Sequence, residues 1–185
     1  MTPRRTGQLL IASRQLLDPN FARSVVLIVQ QDEGGVIGLI LNRPLELSVA
    51  QACEASNEDV PEVHDALCQG GPCPGPLMVL HSNELVGGES VVPGVRFTSE
   101  REDIQSLMRD PAGASVRYFA GYAGWSPSQL ESEIDEGAWL LAPASRDEVF
   151  GAGDTLEALW PRLTTKLTIG KWVDVERMPE DPSVN

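Results

Sequence analysis

The chain has 185 residues, and its 27 acidic and 14 basic side chains give it a formal net charge of −13 at pH 7. This excess of acid argues against proteins that hold nucleic-acid phosphates or anionic membranes, because both kinds of binding depend on lysine and arginine. The hydrophobic share of 42% is enough for a packed core. The length predicts one domain, which we place at residues 1–178, with a flexible tail at 179–185.

The N-terminal residues and the cysteines bear on the cellular compartment. The apolar stretch Leu9–Ala12 follows a basic N-terminus and is too short for a signal peptide. No apolar run approaches the roughly 18 residues of a membrane span. Three cysteines, Cys53, Cys68 and Cys73, cannot all pair within one chain, which fits a reducing compartment better than a disulfide framework. We therefore expect a cytoplasmic protein.

The first third of the chain is rich in strand signals. Gln8–Ala12 predicts a short strand, and the continuous apolar run Val25–Val29 predicts a strand buried on both faces. A turn signal at 32–35 leads into a second buried strand, Val36–Leu41, so the two runs predict an antiparallel hairpin. A helix capped by Ser48 is expected to follow.

In the rest of the chain, helix and strand signals alternate less regularly. Residues 57–75 predict a loop, since they are rich in glycine, proline and acidic residues. Capping boxes predict helix starts at Ser99 and at Asp154, and Pro161 is expected to limit or kink the second of these helices. Further strands are predicted at Leu77–Leu80, Ser115–Tyr122 and Ala138–Ala142. This order favours one α+β domain with a mixed sheet flanked by helices.

The clearest local signal is a helix start within residues 121–137. Ser126 is a candidate N-cap, and Pro127 falls at the first helical position, where its missing N–H has no cost. Gln129 is placed to reach back to the backbone of the cap, and Gly137 is placed to end the helix.

The same helix carries closely spaced acids. Glu131 and Asp135 are like charges four residues apart, and Glu136 lies at the negative end of the helix dipole. One interpretation is a solvated acidic face, which is the usual role of such runs. The other is a surface that receives arginine or lysine from elsewhere in the chain or from a partner.

Two short motifs have both structural and functional interpretations. Asn42-Arg43-Pro44 ends a predicted strand, and Arg43 either reaches a carboxylate or phosphate of a ligand or forms a structural ion pair in a turn. Gly70-Gly71-Pro72 permits a sharp turn or a close backbone approach. It lacks the lysine and hydroxyl residue of a P-loop, so we favour a structural turn.

Histidines and cysteines gather in one window. His64, Cys68, Cys73 and His81 can be written as a zinc series, but their spacing lacks the usual knuckles, so no metal site is predicted. His81 follows a predicted strand and is a candidate for a pocket. Cys73 with His81 is a conceivable nucleophile pair, for which the sequence supplies no geometry.

A series of motifs along most of the chain resembles the AlgH/YqgE family of small bacterial proteins. The series comprises Gly7–Ser13, Asp18–Phe21, Gly38–Pro44, Gly70–Pro72, Leu80-His81, Gly121–Trp125, Gln129–Glu131, Glu133 and Gly137–Leu140. The resemblance implies a single α+β domain with a mixed, partly barrel-like sheet. The biochemical function of the family is not established, and some members are labelled transcriptional regulators.

The resemblance also supplies candidate site residues, since strand ends and a helix start can converge on one concave pocket. They are Asn42, Arg43, Gly70, Gly71, Pro72, His81, Trp125, Gln129 and Glu133. No catalytic role is carried over to any of them, and no cofactor is predicted.

We expect a non-enzymatic binding or regulatory protein with an unknown protein or small-molecule ligand and an indirect role in transcription. The alternative is a small hydrolase or thiol-dependent enzyme that uses His81 with Cys73 or a nearby carboxylate. Direct DNA binding is the least favoured function, because residues 44–95 hold eight acids and no lysine or arginine. That acidic surface would suit a basic partner.

Overall fold

The computed structural model describes residues 3–55, 63, 65–151 and 155–172. Within these residues the strands are β1 (Gln8–Ala12), β2 (Val25–Gln31), β3 (Val36–Ile40), β4 (Pro44–Ser48), β5 (Ala66–Gln69), β6 (Met78–His81), β7 (Glu89–Val92), β8 (Val95–Thr98), β9 (Val116–Ala120), β10 (Ala123–Trp125) and β11 (Trp139–Pro143). The helices are α1 (Val49–Ala55), α2 (Arg101–Arg109), α3 (Pro127–Asp135), α4 (Arg146–Phe150) and α5 (Leu159–Trp172).

These strands form two sheets. The five-stranded sheet has the order β10-β3-β2-β1-β11, and every neighbouring pair in it is antiparallel. The six-stranded sheet has the order β4-β5-β9-β6-β8-β7 and is mixed, because β5 runs parallel to β9. The predicted α+β class, mixed sheet and β2–β3 hairpin are confirmed, and the described strands form no closed barrel.

Both faces of the five-stranded sheet are buried, which explains its continuous apolar sequences. In β1, Leu9 and Ile11 face the other sheet, whereas Leu10 and Ala12 face away from it toward α3. The same alternation runs through β2, in which all residues of Val25–Val29 are fully buried. A half-exposed strand places polar residues at every second position, on its solvent-facing side. A strand that is covered on both faces has no such side, so its sequence is apolar throughout.

The six-stranded sheet repeats this arrangement on the other side of the molecule. Phe119 packs into the core between the sheets, and its neighbour Tyr118 faces outward toward α2. Ile104 and Leu107 of α2 cover this outer face. The layers are therefore helix, sheet, sheet and helix, while α4 and α5 contribute Val149 and other side chains to the central core.

The predicted loop at 57–75 is wrong where it contains β5. Residues 56–62 and His64 lie outside the described residues. Leu67 and Cys68 of β5 are buried because they pair with β9, which is distant in sequence. The strands β4, β7, β8 and β10 and the helix α4 were likewise not predicted, since their partners are not visible in local composition.

The start of α2 differs from the predicted capping box at Ser99. The N-cap residue is Glu100, and its side chain makes no capping bond. Instead, the Thr98 hydroxyl accepts a hydrogen bond from the Glu100 N–H at 3.1 Å and donates one to the Asp103 carboxylate at 3.0 Å. By contrast, the predicted cap at Ser48 is confirmed, because its hydroxyl accepts from the Gln51 N–H at 3.2 Å.

The last helix is not limited by Pro161. A 3-10 turn, Leu156–Ala158, precedes α5, which begins at Leu159 and continues to Trp172. Pro161 therefore lies in the first turn, where the backbone N–H groups have no partner inside the helix and proline is tolerated. The predicted start at Asp154 and the predicted tail at 179–185 lie outside the described residues.

Candidate functional site

The helix start predicted from residues 121–137 is confirmed in its main features. The Ser126 hydroxyl accepts a hydrogen bond from the Gln129 N–H at 3.2 Å, and Pro127 occupies the first position of α3. Gly137 adopts a left-handed conformation with φ of 78° after the helix. The predicted return of the Gln129 side chain to the cap is wrong, because its amide donates to a Glu133 carboxylate oxygen at 2.9 Å.

The Glu133 carboxylate is the centre of this motif. Its second oxygen accepts hydrogen bonds from the indole N–H groups of Trp125 at 2.9 Å and Trp139 at 2.8 Å. Trp125 belongs to β10 and Trp139 to β11, which are the two edge strands of the five-stranded sheet. The carboxylate therefore fixes α3 to both edges of the sheet, and its three neutral donors identify a structural role.

An aromatic cluster lies beside this carboxylate. Phe21 packs on Trp125 with a centroid distance of 5.6 Å and meets Trp139 edge-on at 5.5 Å. The two tryptophan rings are themselves 5.9 Å apart in a T-shaped contact. Such geometry is favourable for aromatic pairs. Phe21 belongs to the motif Asp18–Phe21, and its contact with these tryptophans is not visible in the sequence.

Arg5 supplies the cation that the acidic helix lacked. Its guanidinium donates to both carboxylate oxygens of Glu131, at 2.8 and 2.7 Å. These hydrogen bonds lower the pKa of the Glu131 carboxyl, although partial burial opposes the change. Of the two interpretations given for the acidic helix, the structure supports an arginine from elsewhere in the chain for Glu131, whereas Asp135 and Glu136 are exposed.

Arg43 binds the backbone of the preceding loop. Its guanidinium donates to the carbonyl oxygens of Asn20, Pro19 and Ala22, the last two at 3.3 and 3.2 Å. Burial lowers the pKa of Arg43, and the charge of Asp18 partly offsets this effect. These carbonyl contacts replace the predicted ion pair.

Asn42 completes the same attachment. Its carbonyl oxygen accepts from the Val25 N–H at 2.8 Å, and its amide donates to the Arg23 carbonyl at 2.9 Å. Asn42 and Arg43 together thus hold the 19–25 segment against the end of β3.

Gly70 and Gly71 lie where the chain passes between the two sheets. The Gly70 carbonyl accepts from the Ile40 N–H of β3, and the Gly70 N–H donates to the Ala120 carbonyl of β9, each at 2.8 Å. A Cβ atom on Gly71 would overlap the Tyr122–Ala123 peptide bond. The structural interpretation of this motif is supported, since no side chain fits here, and the next residue, Pro72, is exposed.

His81 is fully buried at the end of β6. Its Nε2 atom lies 3.0 Å from the Gly87 carbonyl oxygen, and its Nδ1 atom has no hydrogen-bond partner in the described part of the chain. Burial lowers the pKa of His81, and the nearby charge of Arg96 lowers it further, against the opposing effect of the Gly87 carbonyl. Burial thus favours the neutral form of the ring, whose Nε2 atom contacts the loop at Gly87.

The proposed Cys73–His81 pair is not assembled. His81 lies opposite Val116 at the start of β9, whereas Cys73 lies opposite Tyr122, beyond the other end of that strand. Six residues of extended chain span roughly 20 Å, which is far beyond hydrogen-bond reach. The geometry therefore does not support the thiol-dependent mechanism that uses this pair.

The buried histidine predicts a pH-dependent stability. The unfolded chain takes up a proton at His81 near pH 6.5, whereas the folded chain resists protonation because the pKa of the buried ring is lowered. This contribution is complete above about pH 6.5 and is lost as the pH falls through the folded-state pKa. We expect the free energy of unfolding, measured with urea, to be lower at pH 6.0 than at pH 7.5.

Two variants test whether His81 causes this decrease in the free energy of unfolding. His81→Gln should reduce the difference between the two pH values, whatever its effect on absolute stability. His64→Gln, at the only other histidine of the chain, is the control and should leave the difference in place. An equal difference in His81→Gln and wild type would show that His81 does not cause it.

A cleft of about 350 Å³ lies at the β10 edge of the five-stranded sheet. Its lining residues come from the β2–β3 turn and from the chain leading into α3; they are Gln30, Asp32, Gly34, Gly35, Val36, Ile37, Tyr122, Gly124, Trp125 and Ser126. The Tyr122 ring packs against Gly75 and Gly124. Cβ atoms added at these two glycines would lie 3.0 and 3.2 Å from the ring. The absence of a side chain at both glycines makes room for the ring.

The predicted site residues do not converge on one pocket. Trp125, Gln129 and Glu133 are joined by hydrogen bonds, and Trp125 also lines the cleft. The Asn42-Arg43 pair, the Gly70–Pro72 turn and His81 make the separate structural contacts described above. Tyr122, which lines the cleft, is not among the predicted site residues, although it lies inside the motif Gly121–Trp125.

Arg117 is a second residue that sequence analysis missed. Its guanidinium donates to the Val149 carbonyl at 2.6 Å and to the Leu41 carbonyl, and it lies 5.2 Å from the centroid of the Phe119 ring. It therefore joins β9 to α4 and to the end of β3. The sequence signal that could have indicated this role is a single arginine within the apolar sequence of β9.

Two further properties concern metals and membranes. In the residues that the structure describes, no cluster of three or more histidine, cysteine, aspartate or glutamate side chains is arranged to hold a metal ion. None of the helices in the same part of the chain combines the length and apolar character that a membrane crossing requires.

The fold and its edge cleft define a small α+β protein with two stacked sheets covered by helices. A family model described as AlgH-like matches residues 9–172. A UPF0301 protein of Chlorobaculum tepidum is 38% identical over 186 residues, which cover 98% of this chain and 96% of the relative. The chain therefore belongs to the AlgH-like family, and the resemblance drawn from its motifs is confirmed.

Two solved structures share this fold. The solution structure of the AlgH protein from Pseudomonas aeruginosa matches with a TM-score of 0.71 and 24% identity, over 98% of both chains, which supports the fold. The crystal structure of a protein from Corynebacterium diphtheriae matches with a TM-score of 0.69 and 26% identity, over 89% of this chain and 87% of that one.

Proposed function

We propose that this protein is a non-enzymatic, cytosolic binding protein whose ligand occupies the cleft at the β10 edge. The observation that carries the proposal is the composition of this cleft. It brings the half-buried Tyr122 together with Asp32 and Ser126 around a volume of about 350 Å³, which is within the range of small-ligand sites. Any effect on transcription would then be indirect, through the bound partner.

The distribution of polar side chains supports binding over catalysis. Glu133 and Arg43, two of the candidate site residues, are engaged with indoles and backbone carbonyls. The His81 ring is inaccessible and distant from Cys73. Nucleophilic catalysis needs a nucleophile and a base within hydrogen-bond reach, and these residues do not supply such a pair.

The cleft can be tested with small fragments that match its chemistry. Titration with N-methylacetamide, phenol and guanidinium, followed by ¹H–¹⁵N NMR, should shift the amides of Gly34, Gly35 and Gly124 and the indole N–H of Trp125. Gly124→Val should reduce these shifts, because it adds a side chain against the Tyr122 ring.

The matched control is Ser90→Val, which places the same side chain on the exposed edge strand β7 and should leave the shifts unchanged. Shifts that cluster elsewhere, or no shifts with any of the three fragments, would refute the assignment of the cleft as a binding site.

A further inference from the structure

The backbone of β3 shows which way the groups of its neighbour β10 point. The Leu41 N–H donates to the Val25 carbonyl of β2 at 2.8 Å, whereas the Ile40 N–H donates to Gly70 on the opposite side. Because successive residues of a strand direct their N–H and C=O groups to alternate sides, Gly38 and Val36 direct theirs toward β10.

The pairing register then leaves Gly124 open. Ala123 lies opposite Gly38 and Trp125 lies opposite Val36, so these residues form the hydrogen bonds between the strands. Gly124 stands between them and points its N–H and C=O groups away from β3. Tyr122 has the same orientation and exchanges both backbone bonds with Cys73, at 2.9 and 3.0 Å.

These free groups are accessible from the cleft. Gly124 is exposed, and it makes no hydrogen bond outside the β3 pairing within the part of the chain that the structure describes. An unpaired donor and acceptor on an edge strand form a template for one more strand. A segment added here would lie beside the Tyr122 ring.

The charge of the cleft restricts what such a segment carries. Asp32 uses its Oδ1 atom to accept from the N–H groups of Gly34 and Gly35, at 2.7 and 3.0 Å, which leaves Oδ2 for a ligand. Glu33 is exposed next to it, and none of the residues that line the cleft is lysine or arginine. The cleft therefore favours a cationic side chain.

We propose that the cleft binds an extended segment of another protein that carries a lysine or arginine. The segment pairs with the Gly124 backbone as an added strand, and its basic side chain reaches the Asp32 carboxylate. This inference rests on the proposed function and names the ligand class for the same cleft. A second copy of this chain is disfavoured as the occupant, because each copy has a net charge of −13.

The test uses two capped peptides of equal length, Ac-Thr-Lys-Val-Arg-Thr-NH₂ and Ac-Thr-Glu-Val-Glu-Thr-NH₂, titrated against the full chain by calorimetry and by NMR. The basic peptide should bind and shift the Gly124 amide, and the acidic peptide should bind at least tenfold more weakly. Equal binding of both peptides, or binding of neither, would overturn the proposal.

Three variants locate the contact. Gly124→Pro removes the N–H that faces away from β3, a substitution that an edge strand tolerates, and should weaken binding about fivefold, the effect of one lost hydrogen bond. Gly124→Ala keeps that N–H and should bind more tightly than Gly124→Pro. Asp32→Asn keeps the acceptor for Gly34 and Gly35, and it should reduce the preference for the basic peptide.

The outcomes separate this inference from the proposed function. If the fragments shift the cleft amides but neither peptide does, the cleft is a small-ligand site and the peptide proposal fails. If the basic peptide binds with the same affinity to wild type, Gly124→Pro and Asp32→Asn, it binds elsewhere and the peptide proposal also fails. If neither fragments nor peptides reach the cleft, both proposals fail.

Discussion

Replacement of Glu133 by leucine is expected to lower the free energy of unfolding by about 2–4 kcal/mol, because it leaves two partly buried indole N–H groups without an acceptor. The donors are those of Trp125 and Trp139, which both bond to the same carboxylate oxygen. The loss should appear in urea unfolding followed by far-UV circular dichroism.

Two comparisons show whether the lost hydrogen bonds cause this effect. Glu133→Gln keeps an acceptor oxygen for the indoles but places an amide group against Gln129, so it should cost less than Glu133→Leu. Asp135→Leu makes the same kind of change at an exposed position of α3 and should stay within about 0.5 kcal/mol of wild type. Equal losses in the Glu133→Leu and Asp135→Leu variants would contradict the assignment.

Gly71→Ala is expected to destabilise the fold by at least about 3 kcal/mol, because the new methyl group meets backbone that cannot move without breaking both sheets. The Cβ atom would overlap the peptide bond between Tyr122 and Ala123. Thermal unfolding and the yield of folded protein measure the effect, and failure to fold is the extreme form of the expected result.

Gly113→Ala separates this overlap from backbone strain. Gly113 has a φ of 73°, and an added Cβ would have nothing within 4 Å. Its replacement should therefore cost only the strain of a left-handed alanine, about 1–2 kcal/mol. A loss in Gly71→Ala no larger than in Gly113→Ala would show that the chain passes Tyr122 less closely than the structure indicates.

Sequence reasoning was most successful where the determinants of structure are local. The cap of α3 depends on residues 126–129 alone, and the strands β1, β2 and β3 depend on short apolar runs. β5 and β10 were missed because their existence depends on pairing with distant strands, and β10 has only three residues. Local propensity carries no information about such partners.

The candidate site was predicted less well for a related reason. Polar residues at strand ends were expected to converge, but Arg43 and His81 bind nearby carbonyl groups instead. A sequence shows that a polar group must find a partner when it is buried, but it does not show which one. Glu131 and Arg5 illustrate this, because 126 residues separate them in the chain.

The strand order of the five-stranded sheet has a consequence for biosynthesis. The ribosome delivers β1, β2 and β3 first, as a meander that is apolar on both faces. Its outer partners, β10 and β11, emerge only after residue 120. A nascent chain of intermediate length therefore has two unprotected strand edges, which are prone to aggregation. The sheet is completed late in translation, so the apolar faces of its first three strands stay uncovered until the second half of the chain has been made.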